Sequence, residues 1–345
     1  MAKKVVLKNK ESGDIFMNIC FVTDDGYAMP TGITIFSIYK NRNPKIKYEI
    51  YVLCKNVSKE NKQKLLELNQ KNFNIEIIDC DNEDYSNLSI DGIPATPTSI
   101  YKFFIPNILS KEDKVLFLDG DIIVTSDLCE LYNTPFENNY ICGVRDSIGL
   151  FNKKYCDGNY TYINSGVMLM DLKKMRQDNI PNQLIEYRKT GYNKFMDQDA
   201  FNYVLKGKIK QISFKYNTQL NVLSTALMLN KGYNVKNFIN YWQIKENPKT
   251  IDDIFNNANI LHYTRAKPWK YYDGYGNDLW LYYYYNSQYA NTKIIRDSYH
   301  IKKIVSTKTY KTSYLLSLPK KIINGLFKNS DRRKQERFLE QFYNK

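Results

Sequence analysis

The sequence lacks any hydrophobic run long enough to cross a membrane. No window reaches the roughly 18 apolar residues that a spanning helix needs. Residues 1–16 are rich in lysine but have no apolar core of the length found in signal peptides. We therefore expect a cytoplasmic chain, either free or peripheral at the inner face of the membrane.

The sequence also lacks paired cysteines, and it has few histidines. The six cysteines show no paired spacing, and four of them lie within or beside apolar runs, where a thiol behaves as a small hydrophobic group. They are predicted to be reduced core residues. Only two histidines occur, and one of them, His262, ends a short apolar run.

The positive charge is unevenly distributed. The formal net charge is +14, yet residues 301–345 hold twelve Lys and Arg against three Asp and Glu, so +9 lies in that segment. A nucleic-acid-binding fold would carry basic residues throughout. We therefore expect no nucleic acid partner, and the feature that requires an explanation is a basic C-terminal tail.

The tail alternates its cationic residues with Ile, Leu and Phe. Such a segment can lie in a membrane interface, where each cation near anionic lipid contributes about 1 kcal/mol. An anionic membrane surface is therefore a predicted partner of the tail. The alternative is an amphipathic helix that packs on the main domain and exposes a basic face.

Apolar runs and helix-like spacing alternate from residue 17 onward. Strands are predicted over residues 17–24, 48–54 and 74–79, with helices over 30–42 and 59–72. The alternation of strand and helix is typical of a doubly wound α/β fold. With 345 residues, the chain can form one large α/β domain with an appendage.

An Asp-Gly-Asp sequence follows another strongly apolar strand, predicted over residues 114–118. Asp119 and Asp121 can converge on one hard divalent cation if the chain turns at Gly120. Ligands bind at the carboxyl ends of the strands in open α/β sheets. A histidine that completes such a site favours Mn²⁺ over Mg²⁺, so His262 is a candidate third ligand. A solvated loop with two acidic residues is the alternative.

Three further polar clusters flank apolar runs. Asp24, Asp25 and Tyr27 follow the first strand, where a carboxylate and an aromatic ring can hold a nucleotide base; a polar turn is the alternative. Asn164-Ser165-Gly166 and Asp197-Gln198-Asp199 offer hydrogen bonds to sugar hydroxyls, or are helix caps. Lys267, near His262, can contact a phosphate as a point charge.

Taken together, five segments in order resemble glycosyltransferase family 8, a family that includes a bacterial lipooligosaccharide galactosyltransferase and glycogenin. The resemblance covers residues 17–269. Its carriers are Phe21-Val22-Thr23-Asp24-Asp25-Gly26-Tyr27, Val115-Leu116-Phe117-Leu118-Asp119-Gly120-Asp121, Tyr162-Ile163-Asn164-Ser165-Gly166-Val167, Asp197-Gln198-Asp199 and His262-Tyr263-Thr264-Arg265-Ala266-Lys267-Pro268-Trp269. The resemblance implies a Rossmann-like GT-A fold, a UDP-sugar donor, Mn²⁺ and retention of anomeric configuration.

The resemblance also implies roles for individual positions. The metal ligands would be Asp119, Asp121 and His262. Uridine would be held by Val22, Asp24 and Tyr27, the diphosphate by Lys267, and the donor sugar by Asp146, Asn164, Asp197 and Gln198. Where the family has an Arg in a Tyr-Arg-aliphatic helix, this chain has Lys102, which is expected to contact the donor without the bidentate geometry of Arg.

The function implied is transfer of a hexose, galactose or glucose, from a UDP-sugar to a glycan, lipid-linked or protein acceptor in bacterial surface glycoconjugate synthesis. Gln198 would lie at the reacting face, which favours front-face substitution, with Asp197 or Asp199 as nucleophile the alternative. A basic nucleic-acid-binding or membrane-scaffold protein with an inactive transferase-like fold is the competing class.

The predicted parts are an N-terminal extension over residues 1–16, a catalytic domain over 17–270 and a tyrosine-rich, then basic, region over 271–345.

Overall fold

A computed structural model describes residues 16–81, 97–148, 161–190, 195–223, 235–245 and 247–297. The N-terminal extension up to residue 15 and the whole basic tail from residue 301 lie outside the described residues. The predictions of a helical appendage and of membrane contact therefore stay predictions. Within the described part of the chain, no helix combines the length and apolar character required to cross a membrane.

The described residues form alternating strands and helices. The strands are β1 (Phe16–Asp24), β2 (Lys47–Lys55), β3 (Phe73–Asp79), β4 (Lys114–Leu118), β5 (Ile122–Val124), β6 (Ile141–Arg145), β7 (Ile163–Asp171), β8 (Ile209–Gln211), β9 (Thr218–Gln219) and β10 (Ile260–His262). The helices are α1 (Asp25–Asn41), α2 (Lys59–Leu66), α3 (Pro97–Ile108), α4 (Cys129–Tyr132), α5 (Leu172–Gln177), α6 (Ile180–Lys189), α7 (Asp197–Val204), α8 (Val235–Trp242), α9 (Ile251–Asn256) and α10 (Asn277–Tyr285).

The main sheet has seven strands in the order β3-β2-β1-β4-β7-β6-β8. Strands β3, β2, β1 and β4 are parallel, and β7 runs antiparallel to both β4 and β6. A smaller sheet has the order β5-β10-β9. The predicted α/β class is confirmed, and the parallel strands bring their carboxyl ends to one edge of the sheet.

The central strands form because they are apolar on both faces. Ile19, Cys20 and Phe21 of β1 are fully buried, as are Leu116 and Leu118 of β4. Continuous burial of this kind is typical of parallel strands covered by helices on both sides. Cys20, Cys54, Cys80 and Cys142 are buried and free, as predicted, Cys129 is half-buried and free, and Cys156 lies outside the described residues.

Helix α1 is longer than predicted. It begins at Asp25 rather than at residue 30, because the Asp24 side chain accepts a hydrogen bond from the Tyr27 backbone N–H at 3.0 Å and caps the helix. Helix α2, in contrast, ends at Leu66 rather than at residue 72. There the chain turns through paired backbone hydrogen bonds between Gln70 and Phe73.

Helix α1 also fixes the loop between β4 and β5. Thr34 Oγ1 donates to the carbonyl oxygens of Gly120 and Ile122 at 3.1 and 2.7 Å. A Cβ atom on Gly120 would lie 2.2 Å from Thr31 Oγ1. Among the described residues, the glycines with positive φ are Gly207 and Gly276. The chain turns at Gly120 and Asp121, as expected, and glycine is required at position 120 because α1 approaches it closely.

Contacts within the chain divide it into two compact units. The first comprises Met1–Thr218 and Tyr233–His262, and the second comprises Gln219–Gly232 and Tyr263–Lys345. The first unit contains the seven-stranded sheet. In the second unit, the tyrosine-rich segment forms α10, whose Trp280 packs against Trp269 and stacks on Tyr284, with ring centroids 5.5 Å apart in both pairs.

Candidate functional site

Two strand pairings bring the predicted metal ligands together. Asp119 directly follows β4, and its backbone N–H donates to the Gly166 carbonyl of β7 at 2.8 Å. Strand β10 pairs antiparallel with β5 so that His262 is opposite Ile122. The histidine therefore lies beside Asp121, although 141 positions separate them along the chain.

A compact group, which we call the metal cluster, consists of Asp119, Asp121 and His262. Each residue offers one possible ligand atom, and the three atoms lie within 4.8 Å of one another. His262 Nε2 lies 3.2 Å from Asp121 Oδ1 and 3.9 Å from Asp119 Oδ2. The side chains of Asp121 and His262 are 8% and 4% exposed. Two carboxylate oxygens and one imidazole nitrogen are a donor set that suits Mn²⁺.

Gly166 leaves the space that the cluster occupies. A Cβ atom at this position would lie 2.4 Å from His262 Cε1 and 2.7 Å from Asp119 Oδ2. Both distances are far below van der Waals contact. Any side chain at position 166 would therefore push two of the three candidate ligands out of place, so the residues present fit a bound cation.

Lys102 lies against the metal cluster and is buried. Its Nζ atom is 3.0 Å from Asp119 Oδ1 and 2.8 Å from Asp197 Oδ2, and it also lies over the Phe117 ring at 4.8 Å. Burial by itself would lower the pKa of Lys102, but the two carboxylates raise it above its ordinary value. Lys102 is therefore a permanent cation shared by two acidic residues.

Burial raises the pKa of a carboxyl group, which is the opposite of its effect on a lysine. Burial raises the pKa of Asp119, and the nearby carboxylate of Asp121 raises it further, whereas Lys102 opposes both effects. A divalent cation would reverse the balance, because it stabilises both carboxylates in their charged form. The electrostatics of the cluster thus favour cation binding.

A second cluster, the amide cluster, consists of Asp146, Asn164 and Gln198. Asn164 Nδ2 donates to Asp146 Oδ2 at 2.9 Å and to Gln198 Oε1 at 3.1 Å. The Ser165 backbone N–H donates to the same Gln198 oxygen at 3.2 Å. The structure therefore brings together three of the four residues predicted to hold the donor sugar, and the buried Asn164 and half-buried Gln198 are held by hydrogen bonds to their neighbours.

Asp197 and Asp199 begin helix α7 and point into different environments. Asp197 Oδ2 accepts from Ser165 Oγ at 2.8 Å in addition to its ion pair with Lys102. Asp199 accepts from Tyr162 Oη at 2.5 Å and from the Phe195 backbone N–H at 2.7 Å, one bond on each oxygen. Burial and the neighbouring Asp199 raise the pKa of Tyr162, which keeps its hydroxyl protonated as a donor.

The polar residues after β1 have local structural bonds. Asp24 caps α1 as described above, and Val22 is buried. Asp25 Oδ1 accepts from the Ser58 backbone N–H and from Asn61 Nδ2, both at 2.8 Å. These hydrogen bonds lower the pKa of Asp25. Tyr27 is half-buried in the first turn of α1.

Lys267 belongs to the second unit. Its Nζ atom donates to the Tyr263 carbonyl at 2.7 Å, within the same segment. The contact ties the lysine side chain back to the start of the segment 263–267.

Asn217 is a buried residue of the site that the sequence analysis did not identify. Its Nδ2 atom lies 2.9 Å from Asn164 Oδ1, and its Oδ1 atom lies 2.9 Å from His262 Nδ1. It follows a short 3₁₀ helix, Phe214–Tyr216, in an irregular segment without strand or helix periodicity. No spacing rule singles out such a position, because both of its partners are distant in sequence.

Comparison with known proteins agrees with the geometry. The family model described as Glycosyl transferase family 8 matches residues 18–273. A Haemophilus influenzae protein with only a provisional glycosyltransferase name is 30% identical over 213 residues, which are 58% of this chain and 63% of that protein. The lipopolysaccharide 1,2-glucosyltransferase of Escherichia coli is 26% identical, over 90% of this chain and 88% of its own length.

Solved structures include a similar fold. The crystal structure of the galactosyltransferase LgtC, in complex with donor and acceptor sugar analogues, matches with a TM-score of 0.65 at 23% identity, covering 79% of this chain and 96% of that one. At that level of identity the likeness concerns the fold. The predicted GT-A fold is thereby confirmed.

Proposed function

Because the chain belongs to glycosyl transferase family 8, whose model spans residues 18–273, we propose that it transfers a hexose from a UDP-sugar, with retention of anomeric configuration and with Mn²⁺ bound. The proposed catalytic domain spans residues 17–270. Glucose and galactose are the candidate hexoses, since the relatives include a lipopolysaccharide 1,2-glucosyltransferase and a lipopolysaccharide 1,3-galactosyltransferase.

One observation carries the proposal. The Lys102 ammonium contacts Asp119 of the metal cluster at 3.0 Å and Asp197, beside the amide cluster, at 2.8 Å. One buried side chain therefore joins the candidate cation site to an acid that neighbours the amide cluster. A nucleotide-sugar presents its diphosphate and its sugar as neighbouring groups, so it fits two such sites placed side by side.

The residues that would hold the cation are Asp119, Asp121 and His262. When bound, Mn²⁺ would neutralise the charge that builds up on the leaving diphosphate. Lys102 would hold the carboxylates of Asp119 and Asp197 in fixed positions through its two ion pairs. By their positions in the family pattern, Val22, Asp24 and Tyr27 would contact uridine, and Lys267 the diphosphate.

The hydrogen bonds of the two acids on α7 support front-face substitution. Asp199 uses both carboxylate oxygens, with Tyr162 and Phe195 as donors. Asp197 is held by Lys102 and Ser165. A carboxylate engaged in this way is a weak nucleophile, because attack would cost it hydrogen bonds to its charged form.

In the front-face reaction, the bond between the anomeric carbon and the phosphate oxygen breaks as the acceptor hydroxyl oxygen bonds to the same carbon from the same side. The proton of the acceptor hydroxyl moves to the departing phosphate oxygen. Asp146, Asn164 and Gln198 would orient the sugar by hydrogen bonds. The proposed acceptor is a glycan, a lipid-linked sugar or a protein in surface glycoconjugate synthesis.

The proposal is tested by UDP release from a panel of UDP-hexoses in the presence of Mn²⁺. We expect one hexose to be hydrolysed or transferred faster than the others, with activity lost in EDTA and recovered on adding Mn²⁺ more fully than on adding Ca²⁺. Proton NMR of the product should show an α anomeric signal from an α-linked donor. A β-linked product, or turnover undiminished in EDTA, would refute the corresponding part of the proposal.

A matched pair of variants locates the sugar site. Gln198→Ala should slow transfer about tenfold or more while UDP affinity changes little, because a lost hydrogen bond to the sugar costs about 1 kcal/mol or more. Gln183→Ala is the control, because Gln183 is exposed on α6 and donates to the Asp178 carbonyl. Equal losses of transfer and of UDP affinity in Gln198→Ala would remove Gln198 from the sugar site.

A further inference from the structure

The buried Asn217 joins the metal cluster to the amide cluster. Its side chain is fully buried and contacts His262 on one side and Asn164 on the other. We propose that Asn217 is a positioning residue that holds His262 in the tautomer with hydrogen on Nδ1 and so presents Nε2 as a metal ligand. The inference rests on the proposed function, because it concerns how the same cation site is prepared.

The orientation of the Asn164 side-chain amide is fixed by its neighbours. Its Oδ1 atom accepts from the Gly166 backbone N–H at 3.1 Å, and its Nδ2 atom donates to the Asp146 carboxylate at 2.9 Å. A backbone N–H can only donate and a carboxylate can only accept. Exchanging the amide nitrogen and oxygen of Asn164 would break both bonds, so only one orientation is consistent with its neighbours.

The orientation of Asn217 follows from that of Asn164. The atom of Asn217 that faces Asn164 Oδ1 at 2.9 Å must be a donor, which makes it Nδ2. The other amide atom of Asn217, Oδ1, then faces His262 Nδ1 at 2.9 Å. An amide oxygen only accepts hydrogen bonds, so the hydrogen of the neutral imidazole is on Nδ1.

The consequence lies at the opposite ring nitrogen of His262. With hydrogen on Nδ1, the Nε2 atom carries a lone pair, and it lies 3.2 Å from Asp121 Oδ1. Both atoms are electron-pair donors, and together they are suited to bind one cation. A hydrogen bond from the far side of a metal-bound histidine typically fixes both the tautomer and the angle of the ring.

Asn217 and Asn164 form a relay, that is, a chain of two hydrogen-bonded amides that joins His262 to Asp146 and Gln198. Asn217 holds Asn164 Oδ1, while Asn164 Nδ2 holds Asp146 and Gln198. Two buried asparagines therefore join the candidate metal ligand His262 to the residues proposed to orient the sugar. Because Asn217 is fully buried, solvent water is not in a position to replace its contacts.

The tautomer can be read directly by NMR. The chain has only two histidines, His262 and His300, so ¹⁵N-histidine labelling of the full-length protein gives two ring systems, and His262→Gln assigns them. In metal-free alkaline buffer, where imidazoles are neutral, we expect His262 to show hydrogen on Nδ1. In Asn217→Ala we expect His262 to shift toward the Nε2–H form. Hydrogen on Nε2 in the unmodified protein would overturn the proposal.

Manganese affinity, measured by electron paramagnetic resonance with Mn²⁺ alone, gives a second test. Asn217→Ala should lower the affinity about 10- to 100-fold. Asn217→Asp keeps an oxygen facing Nδ1–H and should retain more of the affinity than the alanine variant. Because Asp cannot donate to Asn164, Asn217→Asp should lose about tenfold of the preference for UDP-sugar over UDP.

Asn18→Ala is the matched control, since Asn18 is a buried asparagine near the start of β1 whose side chain bonds to Glu112 and to the Lys114 carbonyl. Its manganese affinity should be unchanged. Equal losses in Asn18→Ala and Asn217→Ala, or an unchanged affinity in folded Asn217→Ala, would refute the positioning role. If the unmodified protein binds no Mn²⁺, the proposed function fails instead, which separates the two outcomes.

Discussion

The acidic residues at two strand ends of the same sheet differ in what surrounds them. After β1, the Asp25 carboxylate accepts hydrogen bonds from the Ser58 backbone N–H and from Asn61, and its pKa is lowered. After β4, Asp119 is surrounded by Lys102, Asp121 and His262, and burial raises its pKa. Each acid is the first residue after a parallel strand, yet the pKa of Asp25 is lowered and the pKa of Asp119 is raised.

The difference distinguishes the Asp25 carboxylate from that of Asp119, which we propose as a metal ligand. The bonds of Asp25 order the chain between α1 and α2 and are complete without a ligand. The Asp119 carboxylate is instead held among other ionisable groups, where the Lys102 ammonium offsets only part of the cost of burying it beside Asp121.

The largest effect that follows from this comparison is expected for Asp121→Ala. Loss of the carboxylate should remove Mn²⁺ binding and lower transfer about a thousandfold, since charge stabilisation by a metal is worth several kcal/mol. The melting temperature should hardly change, because a strand-end carboxylate that faces His262 contributes to a site rather than to the apolar core. Calorimetric titration with Mn²⁺ and initial rates measure the two effects.

Asp25→Ala is the control for the metal measurement, and it should bind Mn²⁺ as the unmodified protein does. If Asp121→Ala unfolds the domain, Asp121 is structural, and the contrast between the two strand ends is wrong.

The sequence predicted the acids of the metal cluster because they follow a buried apolar strand, and strand ends carry sites in α/β sheets. It also predicted His262, which ends another strand. The relay through Asn217 could not be predicted, because its partners Asn164 and His262 lie 53 and 45 positions away. Contacts of that kind depend on how irregular segments pack, which periodicity does not report.

The fold was predicted at the level of elements and less well at their ends. The strand over residues 114–118 has the predicted bounds, but α1 begins five residues earlier than expected because Asp24 caps it. Lys102 was expected to contact the donor, and whether it does stays a proposal. Its ion pairs with Asp119 and Asp197 depend on the packing of α3 on the sheet, which the sequence does not specify.

Lys102→Met should have the second-largest effect. The substitution leaves the carboxylates of Asp119, which is 30% exposed, and Asp197, which is 9% exposed, without their shared cation, and breaking such a pair costs up to about 3–5 kcal/mol. Urea denaturation in EDTA should show this loss, and Mn²⁺ should raise the stability of the variant by more than it raises that of the unmodified protein. Lys210→Met is the control, because Lys210 pairs with the exposed Glu137 and such pairs contribute less than about 1 kcal/mol. Equal losses in both variants would show that Lys102 is not a buried counter-ion.

Gly166→Ala tests the tight packing at the metal end. Its Cβ atom would lie 2.4 Å from His262 Cε1, so we expect displaced ligands, much weaker Mn²⁺ binding and a stability loss of about 1–3 kcal/mol. Gly26→Ala makes the same change at the other strand end, where the Cβ atom meets only Asp24 Oδ1 at 3.4 Å. In the first turn of α1 it should cost nothing or stabilise by up to about 1 kcal/mol. Thermal melts and Mn²⁺ titrations compare the two variants, and tight Mn²⁺ binding by Gly166→Ala would contradict the geometry.

The smallest effect on the free energy of unfolding is expected for Asp25→Asn, and this effect should depend on pH. The pKa of Asp25 is lowered in the folded chain, first by the Ser58 backbone N–H and then by Asn61. Its contribution is therefore present above the unfolded pKa of about 3.9 and is lost as the pH falls through the lower folded value. Asp25 is exposed, so solvent screening limits the contribution to no more than about 1 kcal/mol. The difference in unfolding free energy between the two proteins should be constant near neutral pH and shrink in acid, whereas a difference that grows as the pH falls would show that Asp25 is not stabilised in its charged form.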